Sequence, residues 1–98
     1  MDFTWDQAKN RRNTLKHKLS FDTAKLVFND PNALSVKDRV VEGEERWQTV
    51  GMAGGVVLLV AHTYQVMAEN EFTRIISARK ATPQERRIYE KRNHETPN

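Results

Sequence analysis

The apolar residues change their spacing once along the chain, near Ala33. Before this point, residues Phe21, Ala24 and Val27 recur at the spacing of a buried helical stripe. After it, apolar and polar residues alternate through residues 34–40, and later segments are rich in β-branched and aromatic residues. A helical part followed by a strand-rich part predicts an α+β fold.

Local capping signals divide the first third of the chain. Residues 3–5 are predicted to form a short strand. Asp6 is a suitable N-cap for a helix that runs to about His17, and Ser20 is a suitable N-cap for a second helix. The sequence Asp-Pro-Asn at residues 30–32 ends this second helix.

The strand-rich part, residues 33–78, is predicted to contain four strands. Gly43 and the pair Gly54-Gly55 stand where the chain must reverse, which favours an antiparallel meander. Residues 64–71 are interpreted as a long acidic hairpin loop. The helices are expected on one face of this sheet, with the other face open to a ligand.

A third helix is predicted to begin after Thr82. Pro83 suits the first helical turn, and Glu85 stands where a capping box needs an acid. Only Ile88 and Tyr89 are substantially apolar in this helix, so we expect a partner protein or a second copy of the chain to cover them.

Size and composition limit the classes of protein. The 98 residues suffice for one core, which we assign to residues 1–92, with residues 93–98 as a flexible tail. Cysteine is absent, which excludes disulfides, thiol catalysis and thiolate zinc sites. The longest apolar run, residues 56–61, is too short to cross a membrane. A cytoplasmic protein is therefore expected.

Basic residues concentrate near both ends of the chain. Residues 9–18 and 74–92 together hold twelve Lys and Arg but only two acids, although the formal net charge is only +3. If the two stretches fold together, they form a surface that can neutralise phosphates; otherwise they are ordinary solvated helix faces. The candidate RNA-binding residues are Lys9, Arg12, Lys16, His17, Arg74, Lys80 and Arg86.

The reactive side chains suit phosphodiester cleavage without a metal. No Gly-rich phosphate loop, metal-binding motif or paired-carboxylate motif is present, and the three histidines are far apart in sequence, so neither a metal nor a cofactor is predicted. Ribonuclease chemistry needs proton transfer and cations that stabilise a pentavalent phosphorane. His62, at the end of an apolar strand, is a candidate for proton transfer, although these residues alone favour a half-buried structural histidine bonded to backbone.

Two arginines are candidates for phosphorane stabilisation. Arg79 can grip a phosphate with its planar fork, or it can pair with Glu44 or Glu45. Arg46 follows the same acids and can form a local salt bridge instead. The tryptophans Trp5 and Trp47 can stack on bases, but such residues more often belong to a core.

These residues belong to a wider pattern that resembles the BrnT family. The likeness extends from the N-terminus to Glu90, with Lys18 at a position where the family commonly has Gly. It is carried by Phe3–Asp6, Lys9, Asn13, Lys16-His17, Ser20-Phe21, Val27–Pro31, Gly43–Arg46, His62-Thr63, Arg74–Arg79, Glu85–Arg87 and Tyr89-Glu90.

The resemblance implies a bacterial type II toxin with a RelE-like fold, a ribonuclease that halts translation. It also implies a BrnA-like antitoxin with a ribbon-helix-helix DNA-binding region, and a toxin-antitoxin complex that binds its own operator DNA. Arg46, His62 and Arg79 match family motif positions and are the predicted catalytic residues. The alternative is a noncatalytic module whose basic helices bind nucleic acid or a protein.

Overall fold

The computed structural model describes residues 1–95 of the chain, with side chains through Arg92. It contains three α-helices and a mixed six-stranded sheet. The elements in chain order are β1 (Asp2–Thr4), α1 (Gln7–His17), α2 (Phe21–Ala24), a 3-10 turn (Lys25–Asn29), β2 (Leu34–Val41), β3 (Glu44–Ala53), β4 (Val56–Thr63), β5 (Gln65–Met67), β6 (Asn70–Lys80) and α3 (Pro83–Glu95).

Both predicted N-caps are confirmed. The Asp6 carboxylate accepts the backbone N–H groups of Ala8 and Lys9, which lowers the pKa of Asp6, and the Ser20 hydroxyl accepts the N–H of Thr23. The helix after Ser20 tightens into the 3-10 turn after Ala24. Lys18 ends α1 with φ 59°, the left-handed conformation that glycine adopts most easily.

The sheet centres on β6. Strands β2, β3, β4 and β6 pair antiparallel in that order, and β1 joins β6 as a parallel strand. The third strand on β6 is β5, which pairs with it antiparallel. The sheet is therefore mixed, because the predicted N-terminal strand lies beside β6 in the same direction.

The predicted loop at residues 64–71 is wrong. This segment contains β5 and a two-residue turn, Ala68-Glu69, that leads into β6. Both turn residues have positive φ, 50° and 68°, the conformation that tight hairpins require. Gly43 and the pair Gly54-Gly55 mark the other hairpins, as predicted, whereas Ala and Glu carry no such signal.

Strand register divides the side chains between two faces. Leu58, Val60 and His62 point to the first face, where α2 and the 3-10 turn contribute Phe21, Ala24 and Val27, all 0% exposed, to the main core. Val57 lies on the second face with Ala81 and Tyr89. This corrects the prediction of helices on one face only, because α3 packs on the second face.

The C-terminal helix begins at the predicted capping box. Glu85 accepts the N–H of Thr82, and the Thr82 hydroxyl accepts the N–H of Glu85. The helix reaches Glu95, beyond the predicted start of the flexible tail, and residues 96–98 of that tail lie outside the described residues. Within residues 1–95, no helix is long and apolar enough to cross a membrane.

The Ala68-Glu69 turn gives a test of this hairpin. The double substitution Ala68→Asn and Glu69→Gly relieves two left-handed side chains, so the free energy of unfolding, measured by urea titration, is expected to rise by about 1 kcal/mol. Gly55→Ala is the matched control, because it introduces a Cβ at φ 81° and is expected to lower the same quantity. An unchanged or lower stability of the double variant would contradict the turn conformation.

Candidate nucleic-acid interface and active site

Helix α1 carries a basic stripe along one side. Five polar residues of α1 follow the helical spacing i, i+3, i+4, i+7 and i+8, which places them on one helical face. They are Lys9, Arg12, Asn13, Lys16 and His17. Asn13 is the one buried residue of this helix. Leu15 of this helix is 75% exposed, so the helix does not dock through an apolar stripe.

Asn13 fastens this stripe to the sheet. Its side-chain amide donates to the Ala78 carbonyl at 2.9 Å and accepts the Ala78 N–H at 3.1 Å, as a neighbouring strand would. The same amide donates to the Leu19 carbonyl at 2.9 Å. Strand β1 ends opposite Arg74, so the outer edge of β6 near Ala78 is covered by α1 instead.

The docking of α1 forms an open cleft of about 390 Å³, hereafter the α1 cleft. Its walls are the basic stripe of α1 and the end of β6 at Ile76 and Ser77. Three cations, an imidazole, a hydroxyl and an amide therefore converge on one concave surface. Four of the predicted RNA-binding residues, namely Lys9, Arg12, Lys16 and His17, line it.

The other predicted RNA-binding residues lie elsewhere. Arg74 is held by Glu44 through two hydrogen bonds, of 2.9 and 2.7 Å, and Arg86 lies on α3, 3.9 Å from Glu90. The Arg74 guanidinium lowers the pKa of Glu44. Lys80 is exposed at the end of β6. None of the basic residues between 74 and 92 lines the α1 cleft, so the cleft carries the cations of only one of the two basic stretches.

The three predicted catalytic residues are not brought together. On β4, the side chains of Leu58, Val60 and His62 share one face. Arg46 is paired with Thr63 and Arg79 with Leu59, and each of these partners lies next in sequence to a residue of that face. Because side chains alternate along a strand, Arg46 and Arg79 point to the second face and His62 to the first. The sheet itself separates the imidazole from both guanidinium groups.

Arg79 is engaged by an acid that sequence reasoning assigned only to the helix cap. Glu85 accepts from Arg79 Nη1 at 2.7 Å and Nη2 at 3.0 Å, so it serves the cap and the ion pair together. The ion pair lowers the pKa of Glu85 to about 2 and raises that of Arg79. The predicted alternative of an ion pair for Arg79 is correct in kind, but the partner is Glu85 rather than Glu44 or Glu45.

Arg46 lies opposite Thr63, at the C-terminal end of β4. Its Nε is 3.4 Å from Glu44 Oε1, the acid that also holds Arg74. That nitrogen is buried and has no hydrogen-bond partner among the described residues. The predicted local salt bridge is therefore present.

His62 is buried, with 3% of its surface exposed. Its Nδ1 lies 2.9 Å from the Thr63 carbonyl, and its Nε2 lies 2.6 Å from the Thr49 hydroxyl. Phe28 packs edge-on against the ring, with centroids 4.8 Å apart. Burial lowers the pKa of His62, which favours the neutral imidazole. These contacts match the structural reading of His62.

Tyr89 is also buried within the protein. It is 4% exposed, packs against Val57 and Ala81, and donates a hydrogen bond to Asp30 at 2.5 Å. This contact lowers the pKa of Asp30 against the effect of burial. The prediction that a partner covers Ile88 and Tyr89 is therefore corrected for Tyr89, which the protein's own residues cover. Ile88 is 52% exposed and stays a candidate for a partner contact.

Comparison with known families decides the class of this protein. The family model described as "Ribonuclease toxin, BrnT, of type II toxin-antitoxin system" matches residues 5–85. The chain belongs to the BrnT family. The match begins just after β1, ends in the first turn of α3 and includes every residue that lines the α1 cleft. Membership implies an RNA target and an antitoxin partner. Comparison with curated proteins gave no significant match.

The sequence predicts four of the residues that line the α1 cleft but not their arrangement. The signal was present in the spacing of the basic residues around Asn13, which repeats with the helical period. That period is usually sought in apolar residues. Ser77 carried no signal, because its position depends on the pairing of β6.

The buried imidazole gives a pH test. His62 has a lowered pKa when folded, so the unfolded chain binds its proton first as the pH falls below about 6.5. Its contribution to stability is present above that pH and is lost as the pH falls toward the folded pKa. Comparison of wild type with His62→Gln by urea unfolding between pH 8 and pH 5 is expected to show a steeper loss in the wild type. Parallel pH profiles would contradict a buried neutral His62.

Proposed function

We propose that this protein is a metal-independent endoribonuclease toxin that cleaves RNA in the α1 cleft. The convergence of Lys9, Arg12, Lys16 and His17 beside Ser77 carries this proposal. A concave surface lined with cations attracts a polyanion and holds its phosphate groups. Membership of the BrnT family supports the class of reaction, and the geometry of the cleft supports this location for it.

The reaction needs two proton transfers and charge stabilisation. The 2′-hydroxyl of RNA loses a proton and attacks the adjacent phosphorus, and the 5′-oxygen leaves with a proton, so that a 2′,3′-cyclic phosphate and a 5′-hydroxyl form. Lys9, Arg12 and Lys16 would stabilise the added negative charge of the phosphorane. We assign proton transfer to His17, because it lines the cleft together with these cations.

This assignment changes the residues but keeps the chemistry predicted from the sequence. His17 replaces His62 because His62 is 3% exposed and lies on the other side of the sheet from Arg46 and Arg79. Arg46 and Arg79, which the sequence predicts to stabilise the phosphorane, are proposed here instead as RNA contacts on the second face. Both would have to exchange an acid, Glu44 or Glu85, for a phosphate.

The proposed cellular role extends the family description, which names a ribonuclease toxin of a type II toxin-antitoxin system. We propose that the free protein, with a RelE-like fold, acts in the cytoplasm and halts translation by cleaving RNA, and that a BrnA-like ribbon-helix-helix antitoxin neutralises it. The complex would bind operator DNA chiefly through the antitoxin. A second copy of the chain, in a homodimer, is the other predicted partner.

The exposed apolar groove on the second face supports a partner site. Leu34, Val36, Val50 and Ile88 line it, and Val36 and Ile88 are 50% and 52% exposed. It lies beside β2, the edge strand of the sheet. Edge strands and apolar side chains are surfaces that a partner chain can cover.

Cleavage of RNA in the presence of EDTA tests the proposed activity. Wild-type protein is expected to cleave under these conditions, and His17→Ala is expected to reduce the rate about 100-fold or more, the usual contribution of a proton-transfer group. The measured quantity is the initial cleavage rate of a labelled RNA. Loss of wild-type cleavage in EDTA would contradict a metal-independent mechanism.

Two neighbouring arginines provide a matched pair for RNA binding. Arg12 lines the α1 cleft, whereas Arg11 lies on the same helix outside it. Arg12→Ala is expected to weaken RNA binding and to reduce the slope of log affinity against log salt by about 1, while Arg11→Ala changes both much less. Equal effects of the two substitutions would argue against the cleft.

Expression in bacteria separates the toxin from a noncatalytic binding module. The toxin is expected to arrest growth, the product of an adjacent antitoxin gene is expected to restore it, and His17→Ala is expected to be harmless. Growth arrest that persists unchanged in folded His17→Ala protein would contradict cleavage in the α1 cleft.

A further inference from the structure

A second cavity lies on the first face of the sheet and shares no lining residue with the α1 cleft. It encloses about 220 Å³ and is hereafter the His62 pocket. This volume is below the roughly 300–1,000 Å³ of sites for drug-sized molecules, so it suits one planar ring system rather than a whole nucleotide. Its lining residues are Met1, Phe28, Ser35, Trp47, His62 and Tyr64.

A chain of hydrogen bonds sets the polarity of this pocket. The Thr63 carbonyl can only accept, so Nδ1 of His62 carries the proton and Nε2 of the neutral ring accepts from the Thr49 hydroxyl. The single hydroxyl proton of Thr49 is thereby used. Ser35 must then donate in its 2.7 Å contact with Thr49.

The direction of these hydrogen bonds leaves the Ser35 hydroxyl able only to accept a further hydrogen bond. Its proton is directed at Thr49, so its oxygen can offer only lone pairs to the pocket. A ligand that donates a hydrogen bond to this oxygen is favoured. A ligand that presents a carbonyl oxygen there is disfavoured, because two acceptors would face each other.

The walls of the pocket suit a flat π-system. Phe28, Trp47 and Tyr64 are aromatic, and Trp47 also has the Lys37 ammonium 5.7 Å from its ring centroid. Tyr64 is 38% exposed, so its ring is accessible from solvent. Aromatic side chains of this kind stack on unpaired bases of single-stranded RNA.

We propose that the His62 pocket binds one nucleobase, which stacks on its aromatic walls and donates its exocyclic amine to Ser35 Oγ. This inference rests on the proposed function, because an RNA substrate is what presents unpaired bases to the protein. The pocket would give the ribonuclease a preference for RNA that presents an unpaired, amine-bearing base. His62 is here a positioning residue that acts through Thr49 and Ser35.

Two nucleosides that differ only in the amine provide the test. Adenosine and purine riboside are titrated into protein carrying Trp5→Phe, so that the fluorescence reports Trp47. Both are expected to change this fluorescence, and adenosine is expected to bind about fivefold more tightly, the usual effect of one hydrogen bond. Equal affinities, or no change in fluorescence with either nucleoside, would overturn the proposal.

Adjacent positions on β2 supply the variant and its control. Ser35→Ala is expected to abolish the preference for adenosine, whereas Val36→Ala, whose side chain points to the other face, is expected to keep it. Tyr64→Leu is expected to weaken both nucleosides about fivefold or more while keeping the preference. A preference for adenosine that survives in folded Ser35→Ala protein would overturn the role of Ser35.

RNA cleavage by the same proteins separates this inference from the proposed function. If the wild type cleaves RNA but does not distinguish the two nucleosides, the assignment of the pocket fails and the ribonuclease assignment stands. If the wild type prefers adenosine but leaves RNA intact, the pocket is supported and the ribonuclease assignment fails.

Discussion

The contact of Asn13 with the backbone of Ala78 is the interaction on which the proposed active site depends. Strand β1 is too short to cover the whole outer edge of β6, and an unpaired strand edge is a liability in a small protein. The Asn13 amide satisfies one donor and one acceptor of that edge, as a strand would. The interaction therefore completes the sheet and docks a helix that has almost no apolar surface.

The same contact leaves the cations of α1 free. A helix docked through leucines would bury its stripe, whereas α1 buries one amide and keeps Lys9, Arg12 and Lys16 at the cleft. Elsewhere, arginines at the second face are neutralised by nearby acids, as in the pairs Arg79–Glu85 and Arg74–Glu44. The positive charge available to RNA is therefore concentrated at the α1 cleft, which no acidic side chain of the described residues lines.

Short-range chemistry explains what could be predicted from the sequence. The caps at Asp6, Ser20 and Thr82 act within three residues. The glycines of two hairpins adopt the positive φ that tight turns need, so their positions predict the turns. The Ala68-Glu69 turn escaped prediction because neither residue prefers the left-handed region that it adopts. Tertiary pairing overrides the local preference there.

Long-range pairing explains what could not be predicted. Whether His62 shares a face with Arg46 depends on strand register, since a shift of one residue moves a side chain to the other face. The choice of Glu85 as the partner of Arg79 depends on where α3 docks. For the α1 cleft, the four basic residues of α1 were predictable from charge and spacing, but the second wall at Ser77 required the position of β6.

Replacement of Asn13 tests most directly whether this contact builds the active site. In Asn13→Ala, amide hydrogen exchange at Ala78 is expected to accelerate and RNA affinity to fall about tenfold or more, while the β3–β4 pair stays protected. Thr14→Ala, next along α1, is the control and removes hydroxyl contacts to Asn10 and Leu19 only. Unchanged RNA affinity in Asn13→Ala, with Ala78 still protected, would contradict the account.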